Sequence, residues 1–281
     1  MNAGVNKNLV NNTSDVEKLS QKLIEVIRPI KSAVVAFSGG VDSTVLAFAT
    51  LKALGVENVE AVTAVSPSLA EGELENCRSL SQEMGLVWKK VFTEEMSNEN
   101  YILNNSDRCY WCKDALMDSA IPIAEKSNAV VLLGVNLDDL DEHRPGQEAA
   151  RERGAIFPLV EAGLDKDAVR ELAKFWNLKN WDRPAQPCLA SRVPYGTVID
   201  LNLLSRVDRA EASLRAFGFK DLRVRHYGET ARIELERSEI LKAAEMSEHI
   251  TDALTDIGYK YVTLDLKGLK SGNLNDSLKN E

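Results

Sequence analysis

The 281-residue chain contains no apolar run approaching the roughly 18 residues a membrane-spanning helix needs, so no such helix and no membrane partner are expected. Positive charge is also in short supply. Lysine and arginine total 34 against 43 aspartates and glutamates, a formal charge of −9. That balance argues against a broad nucleic-acid footprint and leaves room for a local basic pocket at most. There is no internal repeat and no low-complexity segment. The first dozen residues are polar and Asn-rich, lack the charged-then-apolar order of a secretory signal, and read as a flexible tail. A cytoplasmic location follows as the expectation, and thiols stay reduced there. The four cysteines are therefore weighed as metal ligands, nucleophiles or core residues before disulfides. What is present is ordinary for a globular protein, 44% hydrophobic and 27% charged, and long enough for one large or two moderate domains.

Ser14 and Glu17 have the spacing of a capping box, followed by Val16, Leu19, Leu23 and Ile27 at helical spacing. Strands are expected at 33–37, 59–65, 86–92 and 130–134, with helices at 42–54, 70–84, 111–126, 144–153 and 166–176. Gly55 and Gly85 stand where two of these helices should end. Strands alternating with helices indicate an α/β fold with a mainly parallel sheet, whose ligand belongs at the carboxyl ends of the strands. From 182 to 195 three prolines, Pro184, Pro187 and Pro194, forbid a continuous helix. Beyond it the expected order is a helix at 201–217, strands at 222–227 and 231–235, one helix at 238–257 and a strand at 261–266. The domain expectation is a tail at 1–13, an α/β domain at 14–181, an irregular segment at 182–199 and a small α+β domain at 200–281.

After the first strand comes Ser38-Gly39-Gly40-Val41-Asp42-Ser43 and then a helix. Two glycines let the backbone approach a phosphate with no side chain in the way. The unpaired N–H groups and the dipole of the helix start favour an anion. Ser38 and Ser43 add hydroxyl donors, and Asp42 can hold Mg²⁺ or orient the loop.

Cys109-Tyr110-Trp111-Cys112 has the spacing of two ligands to one metal or cluster, with a redox pair or a structural role as alternatives. Cys188 sits in a Pro-flanked loop near Arg192, which suits either a reactive thiol or a buried packing residue. Cys77 reads as a plain core residue. Three thiolates, 109, 112 and 188, fall short of a closed zinc site and would leave one iron of a four-iron cluster open. Asp139 follows an expected strand and is a candidate for Mg²⁺ or substrate, or a solvated turn residue. Arg144 is a candidate phosphate ligand beside it. Arg223 and Arg225 share one strand face, as do Arg232 and Glu234, making either an anion-binding surface or a salt-bridged sheet face.

The phosphate loop lacks the Gly-Lys-Ser/Thr ending of Walker A loops. It resembles the PP-loop of the ATP-pyrophosphatase superfamily, which implies an ATP-to-AMP reaction. The longer strings Asp139-Leu140-Asp141-Glu142-His143-Arg144-Pro145-Gly146, Ser191-Arg192-Val193-Pro194-Tyr195-Gly196-Thr197, Arg223-Val224-Arg225 and Arg232-Ile233-Glu234-Leu235 extend the likeness over nearly the whole chain. With Tyr259 to Asp265 they resemble the LarE family of ATP-dependent sulfur insertases. That resemblance implies conversion of pyridinium-3,5-biscarboxylic acid mononucleotide to its bisthiocarboxylic acid form, for the nickel-pincer nucleotide cofactor. Adenylation of a carboxylate would be followed by sulfur transfer.

By the same resemblance, Ser38, Gly39, Gly40, Asp42 and Ser43 bind the ATP phosphates, and Asp139, Glu211 and Glu234 lie near metal or substrate. Arg192, Arg223 and Arg225 bind the substrate phosphate, with Asp42, Asp139, Arg192 and Cys188 placed in catalysis. Cys109, Cys112 and Cys188 hold a [4Fe-4S] cluster carrying the transferable sulfide. In another variant of the family the residue matching Cys188 gives up its own sulfur. The implied cofactors are ATP, Mg²⁺ and the cluster, and the implied assembly is a homo-oligomer such as a hexamer. The donor that reloads the sulfide is not legible. The rival readings are a PP-loop tRNA thiolase, an ammonia-using ligase of the NAD synthetase type, and a non-enzymatic nucleotide or cluster sensor.

Overall fold

The structure is a computed structural model that describes residues 13–140 and 145–270. Of the tail expected at 1–13, residues 1–12 lie outside the described residues, as does Arg144, while Thr13 opens the first helix. In chain order the elements begin with α1 (Thr13–Ile27), β1 (Ala33–Ala36), α2 (Val41–Leu54), β2 (Val59–Val65), α3 (Glu73–Met84) and β3 (Val87–Phe92). A short α4 (Glu99–Ile102), the long α5 (Arg108–Lys126) and β4 (Val130–Leu133) follow. Then come α6 (Pro145–Glu152), α7 (Pro158–Glu161), α8 (Lys166–Phe175), α9 (Leu201–Ala216), β5 (Leu222–Tyr227) and β6 (Thr230–Leu235). The last are α10 (Ile240–Glu245), α11 (Ser247–Asp256) and β7 (Tyr261–Leu264).

The chain divides into two compact units. The first takes the described residues up to Val65, then Gly72–Thr93 and Cys109–Ala185; the second takes Ser66–Glu71, Glu94–Arg108 and the chain from Gln186 onward. Two short stretches inside the expected 14–181 domain thus belong to the second unit.

In the first unit the sheet order is β3-β2-β1-β4 and every pairing is parallel. Ala-Val-Val-Ala is apolar throughout because both faces of β1 are covered. Val35 packs with Leu23 and Ile27 of α1, Val45 and Leu46 of α2, and Val169 and Leu172 of α8. Val34, on the opposite face, packs with Met117, Ala120 and Ala124 of α5. Val35, Val45, Leu46 and Leu172 have no exposed surface, and burying each contributes about 1.5–3 kcal/mol. Ala36 pairs with Val62 on one side and Leu133 on the other. The chain therefore leaves β1 and β4 at one level, which is where the phosphate loop begins, while β2 runs three residues further to Val65.

The second unit carries a sheet of order β5-β6-β7, antiparallel then parallel. Val224, Ile233 and Leu235 face Leu214 of α9 and Ile250 and Leu254 of α11. The single helix expected at 238–257 is two. At Met246 the backbone opens to φ −94° and ψ 15°, which interrupts the ladder between α10 and α11. Met246 packs against the same core, so the break holds an apolar side chain inward. The helix expected from 111 begins at Arg108, and so the Cys-Tyr-Trp-Cys string lies within its first two turns.

Candidate active site

The phosphate loop runs from the end of β1 into α2. Ser43 Oγ donates to the Gly40 carbonyl at 3.0 Å, and Thr44 Oγ1 donates to the same oxygen at 2.9 Å. Ser38 N–H donates to Ser43 Oγ at 3.2 Å, so the two hydroxyl residues expected to face phosphate are tied across the loop. Gly39 has φ +69°, the left-handed region that disfavours a side chain, and a Cβ there would meet Asn76 Nδ2 at 2.5 Å. Beneath it Cys77 is fully buried, and burial pushes its thiol up to about 11. That is the core role its helical spacing indicates.

Asp42 stands at the start of α2 and is held from two sides. Lys166 Nζ lies 2.5 Å from one carboxylate oxygen, and Asn136 Nδ2 donates to the other at 3.0 Å. Asn136 in turn accepts from Asp139 N–H at 3.3 Å, while its own N–H donates to Asp139 Oδ2 at 3.1 Å. Asp42, Asn136 and Asp139 therefore form one chain of hydrogen bonds. Gly134 makes it possible: a Cβ there would meet Ser43 N at 2.8 Å and Asp42 C at 2.9 Å, both backbone atoms that cannot move aside. Carboxylates with an ammonium beside them at a helix start are the donor set that Mg²⁺ and phosphate need.

All four cysteines carry thiols; Cys109 is exposed, and Cys112 and Cys188 are half-buried. Cys109 and Cys112, three residues apart on α5, lie on neighbouring positions of one helix face. Gly146 of α6 packs against this turn, where a Cβ would meet Cys109 O at 2.8 Å. Paired, accessible thiols suit two ligands of one cluster. Among the described residues no group of three His, Cys, Asp or Glu is assembled as a metal site.

Cys188 belongs to the second unit and precedes a short 3-10 turn, Leu189–Arg192. That turn is fixed by buried cations. Arg192 donates to the carbonyls of Pro187 at 2.5 Å and Cys188 at 3.2 Å. Arg225 donates to the Ser191 carbonyl at 2.6 Å, and Arg108 donates to the Ala190 carbonyl at 2.8 Å. Leu189 N–H donates to Ser68 O at 2.8 Å.

Two buried carboxylates hold these arginines. Glu211, on the core face of α9, accepts from Arg192 Nε at 2.8 Å, Arg192 Nη2 at 3.2 Å, Arg215 at 2.9 Å and Val224 N–H at 3.1 Å. Glu234 accepts from Arg225 at 2.9 Å and Arg232 at 2.8 Å. The register aligns Arg223 with Glu234 and Arg225 with Arg232, so these side chains share one sheet face, as their alternation indicates. Arg223 is the exception to the pairing. It is 7% exposed, donates to Lys270 O at 3.3 Å, and makes no ion pair among the described residues. Burial, with Arg225 and Arg192 nearby, lowers its guanidinium to about 10. An anion brought to Arg223 would offset the cost of burying its charge.

Lys166, Asn136, Asn180, Arg183 and Arg108 carry no motif signal in the sequence. Lys166 reads there only as the start of a helix. Arg108 is marked only by its position directly before Cys109.

A family described as NAD synthase matches residues 14–105, the part of the chain that contains the phosphate loop. An uncharacterised protein of Synechocystis sp. is 44% identical over 266 residues, covering 93% of this chain and 97% of that protein. The pyridinium-3,5-bisthiocarboxylic acid mononucleotide synthase of Lactiplantibacillus plantarum is 35% identical over 257 residues, covering 91% of this chain and 93% of that enzyme. The chain belongs to the LarE family. As a LarE-family protein it is an ATP-dependent enzyme with a PP-loop domain at its N-terminal side. An uncharacterised protein of Methanocaldococcus jannaschii is 29% identical over 255 residues, covering 90% of this LarE-family chain and 96% of that protein. No helix of the described residues is long and apolar enough to cross a membrane.

Proposed function

We propose that this enzyme inserts sulfur into pyridinium-3,5-biscarboxylic acid mononucleotide, giving the bisthiocarboxylic acid form used for the nickel-pincer nucleotide cofactor. The observation that carries the reading is the phosphate loop joined to Asp42, Asn136 and Asp139, in a chain 35% identical to a relative named for that product. A substrate carboxylate oxygen attacks the α-phosphorus of ATP, the α–β anhydride bond breaks, and pyrophosphate leaves. A sulfur nucleophile then adds to the activated carbonyl carbon and AMP departs with the former carboxylate oxygen. The second carboxylate follows the same course.

The residues fit this work. Ser38, Gly39, Gly40 and Ser43 present the loop to the triphosphate, where N–H donors offset the charge that develops on pyrophosphate. Lys166 exchanges its bond to Asp42 for one to phosphate as ATP enters. Asp42 and Asp139 would hold Mg²⁺, which when bound neutralises phosphate charge. Arg223 and Arg225 receive the substrate phosphate, and Arg192 fixes the turn that carries Cys188. Cys109, Cys112 and Cys188 would hold a [4Fe-4S] cluster, which when bound supplies an exchangeable sulfide. Assembly into a homo-oligomer, a hexamer in the family's manner, and a cytoplasmic location belong to the same reading. So does assigning residues 14–181 to ATP, 182–199 to Cys188 and 200–281 to substrate and assembly.

Iron and acid-labile sulfide, measured on protein purified without oxygen, test the sulfur donor. About four of each per chain support the cluster. No iron, with a protein mass lowered by one H₂S after turnover, would mean instead that Cys188 surrenders its own sulfur.

A further inference from the structure

Three side-chain donors converge on one backbone oxygen of the phosphate loop. The Gly39 carbonyl accepts from Asn180 Nδ2 at 3.0 Å, Asn76 Nδ2 at 3.3 Å and Arg183 Nη1 at 3.4 Å. Asn180 comes from the turn after α8, is 5% exposed, and has a second reach. Its Nδ2 also donates to Thr44 Oγ1 at 2.9 Å, and that hydroxyl donates to the Gly40 carbonyl at 2.9 Å. One buried amide thus acts on both glycine carbonyls, directly on the first and through Thr44 on the second. Arg183 is itself anchored by Glu73 at 2.7 Å.

We propose that Asn180 and Arg183 are positioning residues that hold the Gly39 and Gly40 carbonyls turned into the fold, so that the loop N–H groups stay aimed at the triphosphate. The physics is that of a planar trans peptide, in which the C=O of one residue and the N–H of the next point in opposite directions. Fixing the oxygens of residues 39 and 40 inward therefore fixes the N–H groups of Gly40 and Val41 outward. Without the clamp the left-handed Gly39 is free to rotate, and a carbonyl turned outward would repel phosphate. The guanidinium of Arg183 adds positive charge behind the same peptide. Neither residue needs to touch ATP to do this.

The proposal rests on the reading of this loop as the ATP site, and the test separates the two. Kd for ATP and for AMP is measured by calorimetry on the full-length wild type and on Asn180→Asp, Arg183→Ala and Arg183→Lys, with melting temperature as a check on folding. Arg183 is partly exposed, so its variants remain folded even if the Asn180 change is destabilising. The expected result is an ATP Kd raised about tenfold for Asn180→Asp and for Arg183→Ala, the scale of one lost hydrogen bond. AMP affinity should change less than about twofold, and Arg183→Lys should fall between wild type and Arg183→Ala. Equal weakening of ATP and AMP would reduce the residues to a general structural role and overturn the proposal. Unchanged ATP binding in the folded Arg183→Ala protein would overturn it too. A wild type that binds ATP no better than AMP would overturn the reading of the loop, and the clamp with it.

Discussion

Glu211→Gln is the most informative single substitution in the second unit. Glu211 has no exposed surface and Arg192 is 1% exposed, so their charges face each other out of water. Each carboxylate oxygen accepts two donors: Arg192 Nε and Val224 N–H on Oε1, Arg192 Nη2 and Arg215 Nη2 on Oε2. A glutamine offers one oxygen and one NH₂, so one of these pairs would meet a donor instead of an acceptor. The substitution also leaves Arg192 buried without its counter-charge. Breaking a buried pair in this way costs about 3–5 kcal/mol. At a urea m-value of about 2 kcal/mol per molar, the midpoint of the transition that reports on the second unit should fall by about 1.5–2.5 M. Adding Arg192→Met should recover part of that loss, because the orphaned charge is removed with its partner. Circular dichroism and intrinsic fluorescence in urea make the measurement. A midpoint within about 0.3 M of wild type, with sulfur insertion lost, would refute the ion-pair account and favour a direct role for Glu211 at metal or substrate.

Three other outcomes follow from the same geometry. Asp42→Ala should lower AMP formation by at least about a hundredfold, because the helix-start carboxylate and its Lys166 partner are both displaced; rates within tenfold of wild type would be incompatible with the proposed Mg²⁺ site. Cys109→Ala should leave pyrophosphate release intact while stopping thiocarboxylate formation, as read by mass spectrometry, and an unchanged product yield would remove Cys109 from sulfur delivery. His226 is held neutral by burial, which lowers its pKa, with Arg206 acting in the same direction. Below the unfolded value near 6.5 the unfolded chain binds the extra proton, so stability should fall with decreasing pH from about 6.5 down through the folded pKa. His226→Phe should flatten that decline in melting temperature, and an identical slope would exclude His226 as its source.

Much of the first unit was legible because each signal had a local cause. An uninterrupted apolar run marked β1, two glycines marked the loop, and 3.6-residue spacing marked α1. The strand alternation of Arg223, Arg225, Arg232 and Glu234 also carried over directly, since a strand fixes which side chains share a face. What stayed hidden depends on partners far apart in sequence. Nothing in the irregular stretch after α8 announces that Asn180 and Arg183 reach Gly39, more than a hundred residues earlier. Lys166 looks like any helix-start lysine until Asp42 is placed beside it. Glu211 is expected near metal or substrate by resemblance alone, and nothing in the sequence announces its buried pairing with Arg192 from the core face of α9. The break at Met246 has no proline or glycine to mark it, because packing imposes it.

The most direct test of the central claim is a single incubation under anaerobic conditions. Purified enzyme, ATP, Mg²⁺ and pyridinium-3,5-biscarboxylic acid mononucleotide are combined with a sulfide source, and products are read by mass spectrometry alongside AMP and pyrophosphate. The account predicts replacement of one and then two carboxylate oxygens by sulfur, with one AMP and one pyrophosphate released for each. ATP consumed to AMP with no sulfur in the pyridinium product, or no ATP consumption at all, would contradict it.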